Sequence, residues 1–301
     1  MPDAKYVPDP LAGAPPAGSP TGRPPAAAGP QRKRGRPPQT AAGAGSGAVQ
    51  SLGRALDLLE SVALAERGAG LTELAKATGL APSTAHRLLK TLQHRRYVSH
   101  DAERGLWFIG VQAFTVGAAF LRTRNVVAAA RPIMRQLMEE SGESVSLAVL
   151  DGADAVYLAQ IECRAMMRAL ARPGGRAPLH CSGVGKALLA ALGESERVPL
   201  YRRIDFTRYT EHTLTDADAL DAALHPIGAQ GFAVDDEEFA LGLRCVAAAI
   251  RDEYGDPIAA ISCSGPTARM TSDRVAPLGR LTAAAAAEIG AALGAGPKRR
   301  G

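Results

Sequence analysis

The chain has 301 residues, 46% of them hydrophobic, 22% charged, with a net charge of +5. That is material for two ordinary domains with apolar cores, and it excludes a wholly disordered chain. No run approaches the roughly 18 apolar residues of a membrane span, and "MPDAKYVPDPLAGAPPAGSP" lacks the basic-then-apolar order of a signal peptide, so a cytoplasmic protein with no membrane partner is expected. Cys163, Cys181, Cys245 and Cys263 stand far apart with no CxxC pair, which argues against a disulfide framework and against structural zinc. Neither a metal nor a cofactor is expected.

The charge is unevenly spread. Residues 1–47 carry six Lys/Arg against two acids, residues 48–110 eight against six, residues 111–294 eighteen against twenty-two, and the tail 295–301 adds three cations. A polyanion-binding N-terminal part joined to a mildly acidic domain is the simplest electrostatic reading.

Residues 1–47 are Pro/Ala/Gly-rich, with too few large apolar side chains to offset the entropy of ordering, and read as a disordered arm. Within it, "QRKRGRPPQ" holds Arg34, Gly35, Arg36 and Pro37. This core resembles an AT-hook, whose extended Arg-Gly-Arg lies in the narrow minor groove of A·T-rich DNA. A solvated basic linker is the other reading.

Helical spacing begins at Val49, where Leu52, Ala55, Leu56, Leu58, Leu59 and Val62 form one stripe to about Ala65, ended by Gly68 and Gly70. A short helix from Thr72 places Leu74, Ala75 and Thr78 inward and closes at Gly79. A third, "PSTAHRLLKTLQHR", opens on Pro82 and puts Ala85, Leu88, Leu89 and Leu92 on one side. Its opposite face carries Ser83, Thr84, His86, Arg87, Lys90 and Thr91 with no acid, whereas a generic surface helix would mix in Asp or Glu. Two helices joined by a tight glycine turn, the second with an acid-free donor face, describe a helix-turn-helix with a recognition helix for the major groove of double-stranded DNA. Ser83 and Thr84 suit phosphate or base-edge contacts, Arg87 could bridge a guanine, and Lys90 belongs to the same DNA-binding face. "RYVSHDAERGLWFIG" then reads as a hairpin wing over Tyr97–Ser99 and Leu106–Ile109, with Arg104 at its tip as a phosphate contact. Residues 111–124 read as a linker helix, and a second helix opens the domain 125–294.

That domain alternates strand and helix signals. "VSLAVL" and "AVYLAQI" form a hairpin around Asp151-Gly152, "AMMRALA" a further strand before the Pro-Gly-Gly turn at 173–175, and a helix starts near Gly183. Helices follow over Glu194–Arg203 and from Thr215, as N-cap, to Ala229. "FAVDDEE" is a strand, "CVAAAIRDEYGDPIAAISCSG" two strands about Tyr254–Pro257, and Ser272–Leu293 a final helix. The fold class is α+β.

From about Val49 to Leu293, "VQSLGRALDLLE", "LTELAKATGLAPSTAHRLLKTL", "HCSGVGKALLA", "YTEHTLTD", "GFAVDDEEFALGLRCVAAAIRD" and "ISCSGP" resemble, in order, the IclR-type bacterial transcriptional regulators. The resemblance implies a winged-helix N-terminal domain, a GAF-like effector-binding C-terminal domain, and dimers or tetramers on operator DNA. It also implies a pocket for a small organic-acid effector at Met166, Gly183, Val184, Asp235, Cys245, Ser262 and Ser264. Alternation puts Ser262 and Ser264 on one face of their strand, and main-chain N–H groups at a helix start suit a carboxylate. Two positions depart from the usual pattern: Ala249, where proline is common, and Ala81, where a polar cap before the third helix is missing at a cost of about 1 kcal/mol.

A cysteine enzyme is the rival function. Of six histidines only His180 lies in a pocket motif, and neither a nucleophile elbow nor a Cys-His signature is present. A metal site on Asp235, Asp236, Glu237 and Glu238 fails because neighbouring strand residues point to opposite faces, leaving Asp235 inward and three solvated acids. A purely architectural role through the arm leaves the second domain unexplained.

Overall fold

The computed structural model describes residues 49–123 and 126–294, which divide into two units near residue 124. The arm with Arg34, Gly35 and Arg36, and the tail 295–301, lie outside the described residues.

In the first unit α1 (Gln50–Leu64), α2 (Leu71–Ala77) and α3 (Pro82–His94) close on Leu58, Val62, Leu74, Ala75, Ala85, Leu89 and Trp107, all buried. Each fully buried large side chain here contributes about 1.5–3 kcal/mol. Gly79, at φ +64°, makes the turn between α2 and α3 in a conformation that only glycine adopts freely. A three-stranded antiparallel sheet follows, ordered β1 (Ala69–Gly70), β3 (Leu106–Ile109), β2 (Val98–Asp101). The wing hairpin is the one the alternation predicts. The short β1 is not, because two residues carry no periodicity. The predicted α1 stripe is only half used: Leu58 and Val62 are buried, but Leu52 and Leu56 are exposed, since they project from another side of the helix than that pair. Helix α4 (Val111–Thr123) completes the unit and exposes Val111, Phe114 and Val116.

The second unit is a six-stranded sheet with helices on both faces. Its order is β6 (Arg176–Pro178), β5 (Asp154–Ile161), β4 (Ser144–Asp151), β9 (Pro257–Pro266), β8 (Leu243–Arg251), β7 (Ala233–Asp236), with every neighbouring pair antiparallel. One face buries Val145, Leu147, Val149, Ile250 and Ile261 against α5 (Val126–Ser141) and α9 (Ser272–Ala292). The other packs Ala148, Ala247 and Ala260 against α6 (Gly183–Ala191) and α8 (Ala217–Gln230), with α7 (Glu194–Tyr201) between those helices in the chain. Winged helix-turn-helix and α+β sensor sheet are thus the two folds of the chain.

Three local expectations are corrected. "AMMRALA" is no strand: the Gln160 side chain accepts the Ala171 N–H (3.0 Å) and donates to the Ala169 carbonyl (3.1 Å), so a side-chain amide takes the place of a strand partner. Strand β7 stops at Asp236, because Glu237 turns the chain at φ +59°. Helix α8 is capped by Asp216, whose Oδ1 accepts the Ala219 N–H at 2.8 Å, and not by Thr215.

Candidate functional site

The first candidate surface is built on α3. Pro82 supplies the fixed φ of a first helical position, and Ala81 offers no side-chain cap, but its carbonyl accepts the N–H groups of Thr84 (2.9 Å) and Ala85 (3.0 Å). Ser83, His86, Arg87, Lys90 and Thr91 are exposed, and Thr84 is half-buried. The cations are not equivalent. Lys90 donates to Gln93 Oε1 at 3.1 Å and lies 5.7 Å from the Trp107 ring centroid, so it is held over the wing's root. At the wing, Asp101 Oδ1 accepts the N–H groups of Glu103 (3.0 Å) and Arg104 (3.1 Å), which fixes the turn and leaves the Arg104 side chain 73% exposed.

The second candidate lies on the α6 side of the larger sheet. Asp235, Cys245, Ser264 and Ser144 are successive register partners across β7, β8, β9 and β4, so their side chains leave one face as a single transverse row. The next row on that face is Ala247, Ser262, Ser146 and Gln160. Strand alternation therefore produces a polar patch inside an otherwise apolar sheet.

Helix α6 ends on this patch. Ser182 is its N-cap, accepting the Gly185 N–H at 3.1 Å and donating to the Pro178 carbonyl at 2.6 Å. The N–H groups of Gly183 and Val184 precede the first helical donor, the Lys186 N–H, which bonds to the Ser182 carbonyl at 3.0 Å, and so point out of the helix end. Gly183 must be glycine for this approach: a Cβ there would stand 2.7 Å from Cys245 Sγ.

Asp235 is 2% exposed, and its Oδ1 accepts the N–H groups of Glu238 (2.9 Å) and Phe239 (3.4 Å). Burial, then the Glu238 charge, raise its carboxyl to about 7 against the pull of Lys186. Lys186, inside α6, pairs with Glu238, and both side chains are nearly enclosed. Burial raises the Glu238 carboxyl while that ammonium opposes the rise. Burial also pushes the Cys245 thiol up to about 12, with Asp235 adding to it, and raises the Cys181 thiol and the Tyr157 phenol, so all three stay neutral. Among the described residues, Ser262 Oγ and Glu238 Oε2 are buried without a hydrogen-bond partner.

The loop after β7 is fastened from "YTEHTLTD". Thr210 Oγ1 donates to the Glu237 carbonyl (2.6 Å) and Thr213 Oγ1 to the Glu238 carbonyl (2.7 Å), while Thr213 Oγ1 accepts the N–H groups of Tyr209 and Thr210. Glu237 Oε2 accepts the Gly242 N–H at 2.6 Å, and Asp236 pairs with Arg244 at 2.6 Å. A small cavity of about 310 Å³ opens against this loop, bordered by His212, Asp236, Glu238 and Arg244. A larger one, about 1010 Å³, lies elsewhere among Ala187, Gly228, Ala249 and Gly290, with Arg251, Asp252 and Glu253 along its border. The polar patch is the better candidate, because it combines unsatisfied donors, a helix N-terminus and paired charges.

Of the residues singled out in the sequence, Gly183, Val184, Asp235, Cys245, Ser262 and Ser264 come together around this patch. Met166 does not: it is 98% exposed, because its segment never joins the sheet. Glu238 is not one of three solvated acids but half of a buried ion pair. Sequence reasoning missed Lys186, Glu238, Tyr157, Ser144 and Ser146. The lone cation in the apolar helix "GVGKALLAA" was a readable signal. His180 Nε2 bonds to the Thr207 carbonyl at 3.1 Å, and its ring packs with Phe206 and Tyr209, so it is not spent activating Cys245.

Comparison with known proteins decides what kind of molecule carries this pair of surfaces. Residues 118–291 match the family described as "Bacterial transcriptional regulator IclR C-terminal", and residues 51–102 match the "IclR helix-turn-helix domain". The chain belongs to the IclR family. The transcriptional repressor IclR of Escherichia coli K12 is 47% identical over 264 residues, covering 87% of this chain and 96% of that one. Among solved structures, a transcriptional regulator from Rhodococcus sp. RHA1 is similar at TM-score 0.71 and 32% identity, covering 82% and 99% of the two chains. An IclR homologue from Microbacterium hydrocarbonoxydans, solved with 4-hydroxybenzoate, is similar at TM-score 0.70 and 26% identity, covering 82% and 100%. The chain is accordingly an IclR-family transcriptional regulator with a DNA-binding helix-turn-helix domain and an effector domain. Among the described residues no helix is long and apolar enough to cross a membrane.

Proposed function

We propose that this IclR-family protein binds operator DNA through α3 and its wing, and that a small carboxylic acid seated on the polar sheet face changes that affinity. The observation that carries the effector half is the convergence of the Ser262 hydroxyl, buried without a partner, with the free N–H groups of Gly183 and Val184. Buried polar atoms without partners are rare and costly, and a ligand carboxylate supplies what these donors lack. Ser264, Cys245 and neutral Tyr157 complete a wall of weak donors. The 4-hydroxybenzoate held by a related protein is an acid of the same class.

For the DNA half, Arg87 is the base-reading cation, Ser83, Thr84 and Lys90 hold the backbone, and Arg104 reaches phosphate from the wing. Arg34, Gly35 and Arg36 would add minor-groove contacts from the arm. A second copy of the chain is the natural partner for the exposed apolar residues Leu52 and Leu56 of α1 and Val111, Phe114 and Val116 of α4. A symmetric dimer presents two recognition helices to two half-sites. This reading makes the protein a cytoplasmic homo-oligomer acting as repressor or activator.

Fluorescence anisotropy on the DNA upstream of its own gene tests the proposal. Specific binding should weaken steeply with salt, and a short carboxylic acid should shift it. Ser262→Ala with Ser264→Ala should remove the acid's effect; a double variant that still responds would place the site elsewhere.

A further inference from the structure

Asp235 and Lys186 are buried where β7 meets α6, and Glu238, paired with Lys186, is nearly enclosed beside them. Two carboxylates against one ammonium leave an excess negative charge whenever Asp235 is ionised. The other groups around Asp235 do not offset it. From β8 comes Cys245, from β5 Tyr157, and from the turn before α6 Cys181, all held neutral by burial. Arg244 of β8 is spent on Asp236. His180 senses Lys186 and Asp205, and burial keeps it neutral. Helix α9 packs with Val234 and Val246 on the opposite face and brings no ionisable group to Asp235. An anionic ligand arriving at Gly183 and Ser262 would add a second uncompensated charge to an enclosed site, which low polarity penalises heavily.

We infer that binding of an anionic carboxylic acid to this site is coupled to the uptake of one proton by Asp235, so that the protein senses acid and pH together. The inference rests on the effector reading above. The proton comes from solvent and turns the Asp235 carboxyl from an acceptor into a donor toward the ligand, so the charge of the site is the same before and after binding. Glu238 does not take this proton, because Lys186 is hydrogen-bonded to it. The proton is available near neutrality, since burial and the Glu238 charge raise the Asp235 carboxyl to about 7. By linkage, a group that is more protonated in the complex makes the dissociation constant rise with pH above its free-state midpoint, by up to about tenfold per pH unit.

Isothermal titration calorimetry on the full chain, with pyruvate and with lactate, both fully ionised throughout, tests this at about pH 6.5 and about pH 8.5 in buffers of contrasting ionisation enthalpy. The expected result is uptake of about one proton at the higher pH and a dissociation constant that weakens roughly tenfold or more over the interval. Asp235→Asn, permanently neutral and able to keep the Oδ1 contacts, should bind with no pH dependence and more tightly than wild type at the higher pH. Binding with equal affinity and no proton uptake at both pH values overturns the inference while leaving the effector site standing. A pH dependence that survives Asp235→Asn and disappears in Glu238→Gln also overturns it, because the proton then resides on Glu238. No binding of either acid at any pH overturns the effector reading for short acids and this inference with it.

Discussion

The two candidate surfaces hold their polar groups in opposite ways. On α3 the donors stand on one exposed helix within nine residues, Ser83 to Thr91, and each can be removed with little disturbance to the core formed by Ala85 and Leu89. In the second unit the polar groups are buried and come from β4, β7, β8, β9 and the start of α6, so each is also a packing element. Exposed cations act on a polyanion through charge and geometry and lose strength with salt. A buried set acts on one small ligand and draws its selectivity from the cost of leaving any member unpaired. Substitutions in the first unit should therefore change DNA binding without changing stability, while those in the second should change both.

The largest separation is expected from Arg87→Ala. Loss of one bidentate base contact costs roughly 1–3 kcal/mol, about 5- to 150-fold in operator affinity. Anisotropy titrations should show that loss while a carboxylic acid still raises the melting temperature as in wild type. Wild-type affinity in this variant would remove α3 from the interface.

Gly183→Ala is the mirror case. Its Cβ would press on Cys245 Sγ at 2.7 Å, forcing α6 off the sheet at a cost of about 1–3 kcal/mol and filling the place proposed for the ligand. Thermal unfolding should start earlier and show no acid-induced shift. Adding Cys245→Ala, which deletes the sulfur, should restore most of the stability; a double variant as unstable as the single one would mean that the close approach is not the cause.

The smallest effect, and the most diagnostic of a ligand site, belongs to Ser262→Ala. Removing a buried hydroxyl that has no partner should stabilise the unliganded protein by about 1 kcal/mol in urea denaturation. The same change should weaken acid binding. A destabilised Ser262→Ala would show that the hydroxyl is already satisfied in the empty protein.

The first unit was largely legible because its signals are local. Helix spacing from Pro82 to His94, the glycine turn at Gly79 and the alternation of the wing all act between residues close in the chain. What escaped was the two-residue β1 and the outward orientation of Leu52 and Leu56, since apolar residues on a helix look alike whether they face the chain's own core or an outer surface. In the second unit the strands were mostly readable, but "AMMRALA" failed because Gln160, some ten residues away, holds it out of the sheet.

By itself the sequence determined the two fold types, the acid-free helix face and, through a family likeness, most of the residues that gather beside α6. Local chain stiffness and periodic burial determine such features before any long-range contact forms. Only the tertiary structure decided the fate of the acidic run in "VDDEEF". Alternation turns Asp235 inward and Asp236 outward, Glu237 reverses the chain, and Glu238 swings back to Lys186, 52 residues away. Four like carboxylates in a row become four different groups because burial and partners, and not residue type, set the charge each can hold.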